Sequence, residues 1–213
     1  MQKSLLGCVV AIVVGLIGLA VVAALFGVGS YNRLVGLSQQ VDKQWAQVQN
    51  VYQRRADLIP NLVNTVSGAA NFEKSTLTEI TQARASVGQM KLDPNKAPTD
   101  PEQIAKFQQA QDQLSGALSR LLVVVERYPD LKANSNFRDL QAQLEGTENR
   151  IAVERGRFNE SVQEYNTVVK RFPTVLFAGM MGFSPKPYFQ ATAGSDVPPK
   201  VQFDFNSHEP AKP

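Results

Sequence analysis

The sequence predicts an all-α protein: one N-terminal transmembrane helix followed by an antiparallel bundle of three to four long helices, the first of them kinked at Pro60. Three observations carry this. An uncharged run from Leu5 to Val28 is rich in Val, Leu, Ile, Ala and Gly. Beyond it, apolar residues recur in alternating steps of three and four over four long stretches, which lays one stripe along a helix. Between those stretches stand proline- and asparagine-bearing breaks of the kind that punctuate helices.

The 213 residues leave room for one ordinary domain plus attachments, and a hydrophobic content of 43% permits a true core. The net charge of +3 comes from 22 basic and 19 acidic residues scattered along the chain. With no basic block, nucleic acid is not an expected partner. Cys8 is the single cysteine, so no intramolecular disulfide forms.

Leu5–Val28 extends about 36 Å as a helix, enough to cross a hydrocarbon core of about 30 Å with some tilt. We read residues 1–30 as a retained, single-pass anchor, with membrane lipid around residues 5–28. A cleaved signal peptide would need a shorter apolar region and a clearer small-residue exit site. Cys8 reads as an ordinary residue of the span, since too little apolar sequence precedes it for a lipid-attachment signal. Lys3 on one side faces Arg33 and Lys43 on the other, which leaves the positive-inside count tied. The soluble part is expected on the extracytoplasmic side of a bacterial membrane.

The bundle is expected over 31–183. Its first seam runs through Tyr31, Leu34, Ser38, Val41, Trp45, Val48, Tyr52, Arg55 and Ile59, and the count continues through Leu62 and Val66. Pro60 lacks the amide proton that would bond the carbonyl of Ala56, so a kink or restart is expected there. The unbroken seam favours one kinked rod over a chain reversal at Pro60. A second helix is expected over Asn61–Gly88, with Ala70, Leu77, Ile80 and Val87 on its face. Met90 to Pro101, with three prolines, reads as a surface loop that reverses the chain. Thr99 and Glu102 form a candidate capping box for a third helix over Asp100–Tyr128, through Ile104, Phe107, Gln111, Leu114, Leu118, Leu121 and Val125. Pro129 is expected to stop it, and Asp130–Asn136 to reverse the chain, with Asn134 or Ser135 capping the next helix. That fourth helix is expected over Phe137–Phe172, through Leu140, Leu144, Thr147, Ile151, Glu154, Phe158, Val162, Tyr165 and Val169. The four would then match at roughly 40–55 Å each. Residues 184–213 read as a proline-rich, partly disordered tail, with Val201, Phe203 and Phe205 able to form a short extended segment.

Candidate sites are few. His208 is the single histidine and sits near the end of that tail, which removes most histidine-based acid–base and metal chemistry. No phosphate loop, nucleophile elbow or paired-histidine motif is present. We therefore assign no catalytic residue, cofactor or metal. Arg54, Arg55 and Asp57 beside Pro60 form the tight charged cluster of the chain. The structural reading is an arginine donating to carbonyls freed by Pro60, or pairing with an acid on a neighbouring helix. The functional alternative is an anionic-ligand or partner site. Arg55 and Glu154, the charged seam positions, are expected to lay their stems on the core edge and their heads in water, with an interior pair between them as the alternative. Val175, Leu176, Phe177, Met180, Met181 and Phe183 form an apolar segment that must dock on the bundle end, on lipid or on a partner.

Tyr31-Asn32-Arg33-Leu34-Val35, Val41–Trp45, the stretch Tyr52–Val66 and the segment from Phe72-Glu73 to Ala83-Arg84 resemble the LemA family of bacterial membrane proteins. Tyr165-Asn166, Phe172-Pro173, Gly182-Phe183 and Tyr188-Phe189 match its C-terminal pattern, so the resemblance covers Tyr31 to about Phe205. It implies an N-terminal anchor, a bundle of long antiparallel helices and no established catalytic activity. Magnetosome membrane proteins are similar in this domain, which hints at membrane-associated scaffolding. The expected function is a membrane-anchored, non-enzymatic scaffold or adaptor of the cell envelope that binds a protein partner. The alternative is a structural protein that self-associates laterally, motivated by spare apolar positions at Val35, Leu37, Val51 and Val63. An enzyme using buried carboxylates such as Asp57, Glu73 and Glu79 is a third reading.

Overall fold

The computed structural model describes residues 2–68, 72–90 and 92–190, with side chains from Ile12 onward except Ala23. Ala70 and the Val201, Phe203, Phe205 and His208 positions fall outside the described residues. So does the side chain of Cys8.

All six described elements are helices: α1 (Gln2–Ser67), α2 (Lys74–Gly88), α3 (Pro101–Val125), α4 (Pro129–Ala133), α5 (Ser135–Lys170) and α6 (Val175–Ala178). The apolar run and the first bundle helix are one helix of 66 residues, about 100 Å long. It contains one segment long and apolar enough to cross a membrane, with its side chains exposed.

Pro60 sits inside α1 with its ring on the outer face and does not break the helix. An interior proline costs about 3 kcal/mol. Ile59, Leu62 and Val66 around it are essentially fully buried, and burial of each such side chain contributes about 1.5–3 kcal/mol. Burial therefore outweighs the proline. The carbonyl of Ala56, which Pro60 cannot bond, accepts from Arg84 Nε of α2 at 3.2 Å. The structure thus has the rod and excludes a reversal at Pro60.

The second expected helix, Asn61–Gly88, is not formed. α1 ends at Ser67, and α2 runs back beside it as a separate helix of only 15 residues, about 22 Å. Gly68 is the local signal, since glycine disfavours helix continuation. The three-and-four count passes over it because Val66, Ala70, Leu77 and Ile80 keep the period across the bend. Phe72 and Tyr128 meet there, ring centroids 5.0 Å apart.

α3 begins one residue later than expected. Its cap is Asp100, whose Oδ1 accepts from Glu102 N at 2.9 Å, and Pro101 takes the first helical position. Thr99 takes no part in that cap. α3 ends at Val125, and Pro129 starts the short helix α4 inside the expected reversal. Asn134 then caps α5, accepting from Phe137 N at 3.3 Å.

The chain runs up α1, down α2, up α3 and down α5. α5 lies antiparallel along α1, which is the largest helix–helix interface, and α2 lies antiparallel along α3. Two hydrophobic clusters result. The one far from the apolar run is enclosed by four helices and includes Ile59, Leu62, Val66, Ile80, Leu114, Leu121, Val125 and Phe137. The near one gathers Trp45, Tyr52, Phe107, Phe158, Tyr165 and Phe189, at a level that α2 does not cover. Two non-helical segments, the second of them extended, take the place of a fourth helix there. Met90–Pro101, expected as a surface loop, buries Ala97 and Pro98 and packs Met90 and Leu92 on the core. Ser184–Gln190, read from sequence as the start of the tail, lies along α5 and buries Lys186 and Phe189.

Candidate functional site

The structure does not bring Arg54, Arg55 and Asp57 together. Consecutive positions on a helix point about 100° apart, and only Arg55 faces the seam. Asp57 is exposed and accepts from Gln53 Nε2 at 2.7 Å. Arg54 is exposed and lines a shallow groove with Asn50, Gln143 and Arg150 between α1 and α5. Pro60 is exposed one turn away.

Arg55 is 1% exposed, so its head does not reach water as expected from sequence. Its Nη1 donates to Ser115 Oγ and to Glu148 Oε2, each at 2.8 Å, and its Nη2 donates to the Gln111 backbone carbonyl and to Gln111 Oε1. The guanidinium also lies 5.2 Å from the Tyr52 ring centroid. Its acid is Glu148, not Glu154. Glu154 instead pairs with Arg157 at 2.7 Å on its own helix.

Arg55, Gln111 and Thr147 are polar members of three separate seams, and all three are buried. With Ser115 and Glu148 they form a polar layer between the two hydrophobic clusters. Tyr52 and Phe107 lie on one side of it, Ile59 and Leu114 on the other. A guanidinium with fixed acceptors on both α3 and α5 penalises any sliding of one helix past another, because sliding would strand a buried charge. The layer sets register.

A second polar node pins the non-helical segments and was missed at the level of sequence. Asp42 Oδ1 accepts from Ala97 N at 3.0 Å and from Lys186 Nζ at 2.9 Å, holding both segments against α1. That ion pair is largely buried, with side chains 14% and 6% exposed. Trp45 Nε1 adds a donation to Asp93 O at 2.9 Å.

Three side-chain amides then read the backbone of 186–190 as a neighbouring strand would. Asn166 donates to Lys186 O and accepts from Lys186 N, both at 2.8 Å. Asn159 does the same with Phe189, at 3.0 and 2.9 Å. Gln108 does so with Gln190, at 2.9 and 3.3 Å. The spacing fits: seven helical residues rise about 10.5 Å, and three extended residues advance about 10 Å. The signal was present as two asparagines seven apart on α5, obscured by the adjacent apolar seam of Phe158, Val162 and Tyr165.

Tyr165 Oη donates to Ser184 O at 3.0 Å. Burial, reinforced by the charge of Asp42, pushes its hydroxyl pKa above the usual 10.0. Burial likewise raises Tyr52, against the opposing influence of Arg155 and Arg55.

The apolar 175–183 segment turns back at the end of α5, beside the end of the apolar run. Phe183 packs on the near cluster and meets the Tyr31 ring at 5.6 Å. Met181 and Phe177 are half-buried, whereas Val175, Leu176 and Met180 stay exposed.

The carboxylates considered for catalysis lie in separate places. Glu73 pairs with Arg127 at 2.8 Å, Glu79 pairs with Arg120, and Asp57 accepts from Gln53, all at the surface. Among the described residues, no group of three His, Cys, Asp or Glu side chains could hold a metal ion.

The profile of the LemA family matches residues 44–203, which includes the polar layer and the strapped tail. Magnetosome protein MamQ 2 of Paramagnetospirillum magneticum is 26% identical over 185 residues, 79% of this chain and 67% of the relative. Magnetosome protein MamQ of Magnetospirillum gryphiswaldense matches to the same extent. Protein LemA of Metamycoplasma hominis is 25% identical over 165 residues, 78% of this chain and 71% of the relative. With three-quarters of its length matched, this all-helical, membrane-associated chain belongs to the LemA family.

Proposed function

We propose that the protein is a membrane-anchored, non-enzymatic scaffold or adaptor that presents a rigid helical surface to a protein partner. One observation carries this reading. The helix that holds the apolar run is the same helix that holds the core of the bundle, without a linker between them. A bundle mounted this way keeps a fixed height and tilt at the bilayer, which suits a presenting surface. The partner surface we favour is the groove of about 890 Å³ between the start of α3 and the strapped segment, lined by Ala105, Gln109, Asp112, Pro187 and Tyr188. The names of the relatives, a magnetosome protein and LemA, state no reaction, in keeping with this reading.

Lateral self-association loses much of its motivation, because Leu37, Val51 and Val63 pack on the two cores. Carboxylate catalysis loses its own, because the three carboxylates are surface groups.

A photocrosslinker placed at Gln109 in cells tests the scaffold reading. Recovery of a distinct protein that is lost on Tyr188→Ala supports it. Recovery of this chain alone contradicts it and favours self-assembly. We place the bundle on the extracytoplasmic side, where protease should cut it in intact cells but not in inverted vesicles; the opposite pattern overturns that placement.

A further inference from the structure

At the level where the apolar run ends, α1 and the C-terminal end of α5 enclose a groove of about 620 Å³. Leu25, Phe26, Arg33, Arg171 and Phe172 are among its lining residues. Three features set its chemistry. Arg33 and Arg171 are exposed, and neither has a side-chain hydrogen bond or ion pair among the described residues. The rest of that lining is apolar or small. On α1, no acidic residue precedes Arg33.

Its depth is fixed by the helix. Arg33 lies five residues past Val28, about 7.5 Å along α1, which puts its head at phosphate level if the span ends at Val28. The 172–183 turn sits at the same height. The terminal methyl of Met181 lies 3.9 Å from the position a Cβ on Gly27 would take, within the apolar run. Phe172 and Met180, 74% and 84% exposed, are unpartnered there, as are Val175 and Leu176. In water that would be an exposed apolar patch continuous with the span. In the headgroup zone it is a buried wedge.

We infer that this groove binds the phosphate of an anionic phospholipid between Arg33 and Arg171, while Phe172, Leu176 and Met180 insert beside the acyl chains. The inference rests on α1 crossing the bilayer and gives the bundle a second membrane contact, which would fix its rotation about α1. Two arginines on separate helices suit one phosphodiester, since each can donate a pair of N–H groups to its oxygens.

The test uses the full chain in nanodiscs of phosphatidylcholine with phosphatidylglycerol, carrying an environment-sensitive fluorophore at Leu176→Cys. Doxyl-labelled lipid should quench it, and doxyl-phosphatidylglycerol should quench more than doxyl-phosphatidylcholine at equal mole fraction. Each arginine is expected to contribute about fivefold to that preference. Arg33→Gln/Arg171→Gln should bring the ratio to about one, and Arg33→Lys/Arg171→Lys should restore most of it. A ratio of one in the parent chain overturns the headgroup site. So does a ratio unchanged in the double glutamine variant, or displacement by inorganic phosphate. Emission at the aqueous value overturns the wedge. Carbonate extraction of the same samples reads the α1 anchor alone, so failure of the anchor and failure of the groove are seen separately.

Discussion

The two halves of the bundle are held together by different means. In the half far from the apolar run, α1, α2, α3 and α5, closed at one end by α4, enclose a mostly aliphatic core, and the apolar stripes do most of the packing. In the near half, three long helices and two non-helical segments enclose an aromatic core, with Trp45 touching the rings of Phe107, Phe158 and Phe189 at 5.5, 5.7 and 6.1 Å. Extended segments bring fewer side chains per unit length than a helix, so larger rings fill the space and polar pins fix the backbone. The far half is a helix-packing problem, and the near half is a strapping problem. Arg55 and its layer stand at the boundary.

That contrast is most severely broken at the boundary itself. Arg55→Ala strands Gln111 and Ser115 and opens a cavity, with an expected loss of about 3–5 kcal/mol. Urea unfolding of the full chain in mild detergent measures it. Arg55→Lys should recover only part of the loss, because an ammonium cannot serve α3 and α5 with the same fork of donors.

The next effect lies in the near half alone. Asp42→Ala leaves Lys186 buried without its acid and releases the Ala97 amide, for an expected loss of about 3 kcal/mol. Asp42→Ala/Lys186→Met should be less destabilised than Asp42→Ala. Hydrogen exchange should rise in residues 92–100 and 184–190 while α2 stays protected. Equal loss of protection in α2 would show that the halves are one cooperative unit.

Asn166→Ala removes two hydrogen bonds to a buried backbone, at an expected cost of about 2 kcal/mol. Asn166→Asp keeps the acceptor for Lys186 N but sets a buried carboxylate oxygen against Lys186 O, so a loss at least as large as that of Asn166→Ala is expected. In the far half, Arg84→Ala frees the Ala56 carbonyl on an exposed face, and a loss of only about 0.5–1 kcal/mol is expected.

Alkali should also act on the near half first. Tyr52 and Tyr165 both have raised pKa values, so the folded state holds their protons more tightly than the unfolded chain does. Their contribution is complete below about pH 10 and is lost as pH rises through the raised folded values. Tyr52→Phe should flatten that alkaline decline.

The same division separates what was legible in the sequence from what was not. Helix period, caps and the apolar run announced α1, α3 and α5, because each is dictated by local spacing. The turn at Gly68 was hidden because the apolar count continues through it. The polar layer is only partly visible: Arg55, Gln111 and Thr147 each hold a seam position, but so do Ser38 and Glu154, which take no part in the layer. That the first three meet depends on helix register, which is set by where the chain reverses. The strap was invisible to periodicity, since an extended segment docked through asparagine side chains has no repeat of its own.

If the apolar run and the bundle segment of α1 are one rigid helix, a distance across their junction is fixed. In a Cys8→Ser background, spin labels at Val28→Cys and Asn50→Cys, both exposed on α1, can be measured by double electron–electron resonance in nanodiscs. A single narrow distribution near the helical separation of about 33 Å is expected. A broad or multiply peaked distribution would mean a hinge between anchor and bundle, and would contradict the rigid helix.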